Sequence, residues 1–192
     1  MGGRDKGLIE RRGAPLVCSV IEAVTPLSQR VTLLGPPASE PRHDELKARY
    51  QARLASSGHE GVCWSSDLSA LDERAGAHRA LKSALTRAAA DWVWVLACDL
   101  PLLTTESLRE LMTLEPGRLA HLWSAGGRLQ PLAGLWSRAA LSELGATLST
   151  GAALQSLRSA PWLQVSALVD QRVVMNVNRP EELAALAQLE RA

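Results

Sequence analysis

An α/β fold with a mostly parallel sheet and a small antiparallel part is what this 192-residue sequence predicts. Short apolar runs alternate with stretches of helical periodicity from end to end, the pattern left by βαβ units. One run, Trp92-Val93-Trp94-Val95-Leu96-Ala97, is apolar on both faces, which suits a strand in the middle of a covered parallel sheet. Two later runs meet at Gly126-Gly127, a hairpin signal that supplies the antiparallel part.

The elements follow in order. Residues 7–11 and 14–17 flank the charged Arg12-Gly13 turn, and residues 15–27 carry the apolar spacing of a first helix. Residues 29–35 read as a buried strand stopped by Gly35-Pro36-Pro37, and residues 44–55 as a charged amphipathic helix. Residues 61–64 form a short strand running into Ser65-Ser66-Asp67, and residues 75–90 have good helix propensity and lead into the strand at 92–97. Thr104 or Thr105 caps a helix ending at Leu114, with Glu106 where the helix dipole favours a negative charge. Strands at 118–123 and 129–136, helices at 138–148 and 152–158, and strands at 163–168 and 173–176 come next. A final helix starts at Pro180 with Glu181 and Glu182 in its first turn.

Lys and Arg (21) nearly balance Asp and Glu (20), a formal net charge of +1. No long-range field therefore favours nucleic acid or an anionic membrane, and an anionic ligand has to be held locally. Cys18, Cys63 and Cys98 show neither CxxC nor Cys-His spacing, which argues for reduced core thiols rather than a zinc site or a disulfide framework. With no signal peptide and no 18-residue apolar run, the expected location is cytoplasmic.

The chemistry concentrates at a few places. Met1-Gly2-Gly3-Arg4-Asp5-Lys6-Gly7 has the make-up of the back half of a glycine-rich phosphate loop: glycine backbone N–H groups close on phosphate oxygens, and Lys6 supplies a point charge. Cys98-Asp99-Leu100-Pro101 follows the most apolar strand, at the carboxyl end where open α/β sheets bind ligands. There Asp99 is placed to hold a magnesium ion whose shell is completed by water and substrate phosphates; its alternative role is to cap a turn before Pro101. Asp67 meets a base or ribose, or forms a local Asx-turn. Asn176 and Asn178 offer donors and acceptors to a polar heterocycle, while Asn178 also reads as a helix N-cap. His43, His59, His78 and His121 have no triad or metal spacing and are read as surface or packing residues.

Taken in order, Met1 to Glu10 with Gly13-Ala14-Pro15-Leu16, then Ala97 to Pro101, Gln130 to Trp136, and Asn176 to Leu183 resemble the molybdenum cofactor guanylyltransferases along essentially the whole chain. The resemblance implies a single nucleotidyltransferase-like domain over residues 1–192, a Rossmann-like three-layer sandwich with a nucleotide half at about 1–115 and an acceptor half at about 116–192. It implies magnesium-dependent transfer of GMP from GTP to the phosphate of molybdopterin with release of pyrophosphate. Gly2, Gly3, Lys6, Asp67 and Asp99 match its nucleotide side, with Lys6 and Asp99 catalytic and Asp99 the metal ligand. Gln130, Pro131, Asn176 and Asn178 match its pterin side. GTP and molybdopterin are then the small-molecule partners, and transient contact with molybdoenzymes or their chaperones fits that role. A cytidylyltransferase, a sugar-phosphate nucleotidyltransferase and an inactive pterin-binding remnant are the alternatives.

The sequence also departs from the family pattern. The strand and the Leu-Ala-Gly-Gly-x-x-x-Arg loop expected before Met1 are not in it, so upstream coding sequence is expected to supply them. Without that strand, two neighbours in the sheet are expected to lie unpaired. Gly76-Ala77-His78-Arg79-Ala80 stands where the family has Gly-Pro-Leu-Ala-Gly, and Gln130 where it has histidine; the asparagine expected near Leu33-Leu34-Gly35 is replaced.

Overall fold

A computed structural model of the chain describes residues 5–67, 76–149, 154–177 and 182. Strands β1 (Glu10–Arg11) and β2 (Ala14–Pro15) form a small antiparallel hairpin. Its tip needs left-handed backbone, with Arg12 at φ 53° and Gly13 at φ 82°. Helix α1 (Leu16–Val24) follows, then β3 (Thr32–Gly35), α2 (His43–Ala55) and β4 (Cys63–Ser66), which pairs in parallel with β3. Beyond them come α3 (Gly76–Arg87), β5 (Trp92–Leu96), α4 (Thr105–Glu110), β6 (Ala120–Ala125), β7 (Arg128–Ser137), α5 (Ala140–Ser149) and β8 (Leu163–Ala167).

Each element has a local cause. Thr104 accepts from the Ser107 backbone N–H at 3.1 Å, and Ser107 Oγ accepts in turn from the Thr104 N–H, a reciprocal cap that starts α4. Gly126 and Gly127, at φ 54° and 75°, make the tight turn between β6 and β7. In α2 the spacing of His43, Leu46, Tyr50 and Leu54 puts all four on one buried face.

Two layers of helix enclose a mixed sheet ordered β5-β7-β6-β8. Trp94 and Leu96 of β5 face a core with α1 (Val20, Val24) and α4 (Leu108), centred on the fully buried Trp123. Val93 and Val95 face the opposite core, with Leu81 and Leu85 of α3, Leu144 of α5 and the fully buried Trp136. A third cluster joins α1 and α2 to β3 and β4; Val31 is shared between it and the first.

This is the expected α/β architecture, with corrections of detail. The antiparallel share is larger than a small part, because the ten-residue β7 lies antiparallel to both β5 and β6. Strand β5 is apolar on both faces as expected, yet among the described residues it pairs only with β7, in antiparallel fashion, instead of lying in the middle of a parallel sheet, and Trp92 is 41% exposed. Apolarity reports helices on both faces; it does not report the number of strand neighbours. Among the described residues β3 and β5 share no ladder, so the sheet is in two pieces. Residues 171–174, expected to lead into and form part of a strand, make a 3-10 turn because Asp170 accepts from the Arg172 N–H and forks onto its guanidinium. Likewise 154–159 is a 3-10 turn. Cys63 is exposed, so not every thiol is in a core. The expected helix from Pro180 lies, apart from Glu182, outside the described residues.

Candidate functional site

Strand β5 ends at Leu96, and the chain beyond it carries Cys98 and Asp99 to the carboxyl edge of the sheet. Asp99 is 6% exposed. Burial drives its carboxyl pKa up, and nearby Lys6 is the leading opposing influence. Lys6 Nζ lies 3.7 Å from Asp99 Oδ2, with the lysine side chain about half exposed, so the cation stands between the buried carboxylate and solvent.

Lys6 is presented by a 3-10 turn, Lys6–Leu8, capped by Asp5, whose Oδ1 accepts from the Gly7 N–H at 3.2 Å. Across that turn the Tyr50 hydroxyl of α2 donates to the same Asp5 oxygen. A Cβ on Gly7 would run into the Tyr50 hydroxyl and meet Cys98 Sγ at 3.2 Å, so only glycine lets the turn close here. The Cys98 thiol is pushed up to about 12 by burial first and then by Asp99 and Asp5, which keeps it protonated and unreactive.

Two segments from the second half of the chain bond to the end of β5 and to the loop that carries Asp99. Leu96 pairs with Ala133, and the Ala97 N–H donates to the Leu132 carbonyl at 2.7 Å. The ladder stops there, and Cys98 and Asp99 lie in a turn beyond it. Gln130 is half-buried and its amide donates to the Arg128 carbonyl; the Pro131 carbonyl accepts from Trp136 Nε1 at 3.2 Å. The Val177 N–H donates to the Asp99 carbonyl at 3.0 Å, which sets exposed Asn176 next to Asp99. Arg11 Nη1 donates to the Pro101 carbonyl at 3.2 Å, fastening the β1–β2 hairpin to the Asp99 loop.

Asp67 is placed differently. It is buried at the end of β4, where Arg79 Nε of α3 donates to Oδ2 at 2.7 Å and Ser83 Oγ donates to Oδ1. Both carboxylate oxygens thus have partners within the protein. Gly2, Gly3 and Asn178 lie outside the described residues.

Sequence reasoning missed Tyr50, Arg11, and the Arg79–Ser83 pair that holds Asp67. Tyr50 left one signal: it is the single tyrosine of the chain, on the apolar stripe of a charged helix. Among the described residues, no cluster of three or more His, Cys, Asp or Glu is placed to hold a metal ion. One buried carboxylate at the sheet edge nevertheless fits magnesium, which takes one or two carboxylates and leaves other positions to water and phosphate.

The model of the MobA-like NTP transferase domain matches residues 1–165. A molybdenum cofactor guanylyltransferase of Pseudomonas putida is 32% identical over 187 residues, 95% of this chain and 88% of the relative. One from Vibrio parahaemolyticus is 26% identical over 193 residues, 99% of this chain and 90% of the relative. Among solved structures, molybdopterin-guanine dinucleotide biosynthesis protein A of Archaeoglobus fulgidus superposes with TM-score 0.69 at 18% identity, covering 98% of this chain and 92% of that one. A 4-diphosphocytidyl-2C-methyl-D-erythritol synthase of Anaerococcus prevotii reaches 0.70 at 8% identity with the same coverage, a likeness of fold.

Proposed function

The chain belongs to the MobA-like NTP transferase domain family, and from that premise we propose that it transfers GMP from GTP to the phosphate of molybdopterin. A role in molybdenum cofactor biosynthesis as a nucleotidyltransferase agrees with the relatives' names. The observation that carries the finer reading is the 3.7 Å approach of Lys6 to the buried Asp99 at the carboxyl end of β5.

In this reading the N-terminal half, about residues 1–115, holds the nucleotide and the remainder holds the acceptor. An oxygen of the pterin phosphate attacks the α-phosphorus of GTP, the new P–O bond forms, and the bond to the β,γ-pyrophosphate breaks with its electron pair leaving on pyrophosphate. Lys6 and the backbone of Gly2 and Gly3 stabilise the negative charge that grows on that leaving group. Asp99 is the residue that would hold magnesium, which when bound offsets phosphate charge. Gln130, Pro131, Asn176 and Asn178 are the residues assigned to the pterin in this reading, Gln130 and Asn176 through their side-chain amides. Asp67 anchors the nucleotide end through its grip on Arg79 and Ser83.

The test is turnover with GTP, molybdopterin and magnesium, following pyrophosphate and the guanine dinucleotide together. The parent releases both in equal amounts, and Asp99→Ala lowers the rate by roughly a hundredfold or more. A parent-like rate in Asp99→Ala removes the assignment of Asp99. Tighter binding of CTP than GTP in direct competition refutes the guanylyl reading in favour of a cytidylyl one.

A further inference from the structure

We infer that Tyr50 is a positioning residue for Lys6, acting through Asp5 from a helix that contributes no other group to the site. The inference rests on the nucleotidyl reading of Lys6 and adds to it the device that aims the lysine.

The turn bearing Lys6 is only three residues long, too short to be rigid by its own hydrogen bonds. Its hydrogen-bonded link to α2 is one carboxylate with two donors. Asp5 Oδ1 accepts from the Gly7 N–H, inside the turn, and from the Tyr50 hydroxyl, outside it. The Tyr50 ring is in turn held by packing: it is 6% exposed, on the α2 stripe with Leu46 and Leu54, and it lies 5.7 Å centroid to centroid from Trp64. Trp64 is itself fixed, because its Nε1 donates to His43 Nε2 at 3.2 Å and its ring covers Gly35, where a Cβ would overlap it. Burial first, then the neighbouring Cys98 and Asp5, holds the Tyr50 pKa far above the ordinary phenol range. The hydroxyl therefore keeps its proton at every pH the protein meets and remains the donor to Asp5.

A rigid path thus runs from the β3–β4 pair through Trp64, Tyr50 and Asp5 to the turn that carries Lys6. Its consequence is pre-organisation. Without the Tyr50 hydroxyl, Asp5 can still cap Gly7 and Leu8 still packs on α1 and α2, but the cap loses its hydrogen-bonded tie to α2. The Lys6 ammonium then samples more positions relative to Asp99, and each phosphate contact it makes costs more ordering.

The experiment compares the parent with Tyr50→Phe, Asp5→Ala, Asp5→Asn, Lys6→Met and the Tyr50→Phe/Lys6→Met pair. Readouts are the Kd for magnesium pyrophosphate, the Kd for magnesium GTP, and the ligand-free exchange rate of the Gly7 amide. Tyr50→Phe keeps the ring, so Tm stays within about 2 °C while both affinities fall roughly threefold to tenfold and the Gly7 amide exchanges faster. Asp5→Ala reproduces this loss, and Asp5→Asn, which keeps an acceptor oxygen, largely restores affinity. In the Lys6→Met background, adding Tyr50→Phe changes affinity less than twofold, because there is no ammonium left to aim.

If Lys6→Met weakens binding and Tyr50→Phe does not, the nucleotidyl reading stands and the positioning role is overturned. If Lys6→Met leaves both affinities at the parent value, the reading of Lys6 fails and the inference built on it fails too. Equal losses from Tyr50→Phe in the parent and in the Lys6→Met variant also overturn it, because they show a structural effect that bypasses the lysine.

Discussion

Lys6 and Asp99, 93 positions apart in sequence, meet at 3.7 Å because a three-residue turn and the end of β5 reach the same edge of the sheet. The carboxylate is buried and the ammonium half exposed. Burial outweighs the lysine, so the Asp99 pKa is raised above its ordinary value. In an exposed ion pair the balance commonly runs the other way, because less of the charge is desolvated.

The raised pKa of Asp99 has a stability consequence. A folded-state pKa above the unfolded one gives a contribution that is present at low pH and lost as pH rises through the folded pKa. Once pH exceeds the folded pKa, the ionised Asp99 therefore costs stability. Asp99→Asn is expected to raise Tm at pH 7, by about 2–4 °C for each kcal/mol relieved, while lowering turnover. Calorimetry at pH 7 checks it. An unchanged or lower Tm shows that the Lys6 pairing dominates.

Asp67 is expected to behave in the opposite way. Removing it by Asp67→Ala leaves Arg79 and Ser83 facing each other across a buried space, at a cost of about 3 kcal/mol. Urea unfolding of Asp67→Ala and of Arg79→Met measures this. Stability losses for Asp67→Ala well under about 1 kcal/mol indicate that its contacts are readily exchanged and leave the carboxylate available to a ligand.

His121 predicts acid sensitivity in the far core. Its Nδ1 faces the Leu111 carbonyl at 3.0 Å and so carries the proton, and Nε2 faces Ser166 Oγ at 2.8 Å. Burial lowers its pKa, so the unfolded chain takes up a proton before the folded one as pH falls below about 6.5. Stability should decline from that point down to the folded pKa. In His121→Gln that part of the slope disappears, which Tm measured between about pH 7.5 and 5 detects.

Gly35 is a steric test of the aromatic support. A Cβ there overlaps the Trp64 indole, so Gly35→Ala should displace the ring and cost about 1–3 kcal/mol. Tryptophan fluorescence and Tm together follow the displacement. A fully stable variant with unaltered emission contradicts the packed position of Trp64.

Much of the architecture is legible because it is written in local chemistry. The glycine pair of the β6–β7 turn, the threonine cap of α4 and the apolar stripe of α2 each specify their element within a few residues. The antiparallel pairing of β5 with β7 is not legible, since an apolar strand does not name its hydrogen-bonding partners. The turn at residues 171–174 is set by a fork between Asp170 and Arg172 that overrides the local β-like composition. At the candidate site, the motif residues Lys6 and Asp99 stand out by type and place. Tyr50 does not, because its meaning depends on a carboxylate 45 residues away.

The most direct test of the proposal that Lys6 and Asp99 share one phosphate site is calorimetric titration of magnesium GTP into the parent, Lys6→Met, Asp99→Asn and the double variant, repeated with magnesium chelated. Each single variant is predicted to weaken binding more than tenfold, the double variant by less than the product of the two, and chelation to erase most of the difference between Asp99→Asn and the parent. Parent-like affinity in both single variants would contradict a common site for triphosphate and cation between Lys6 and Asp99.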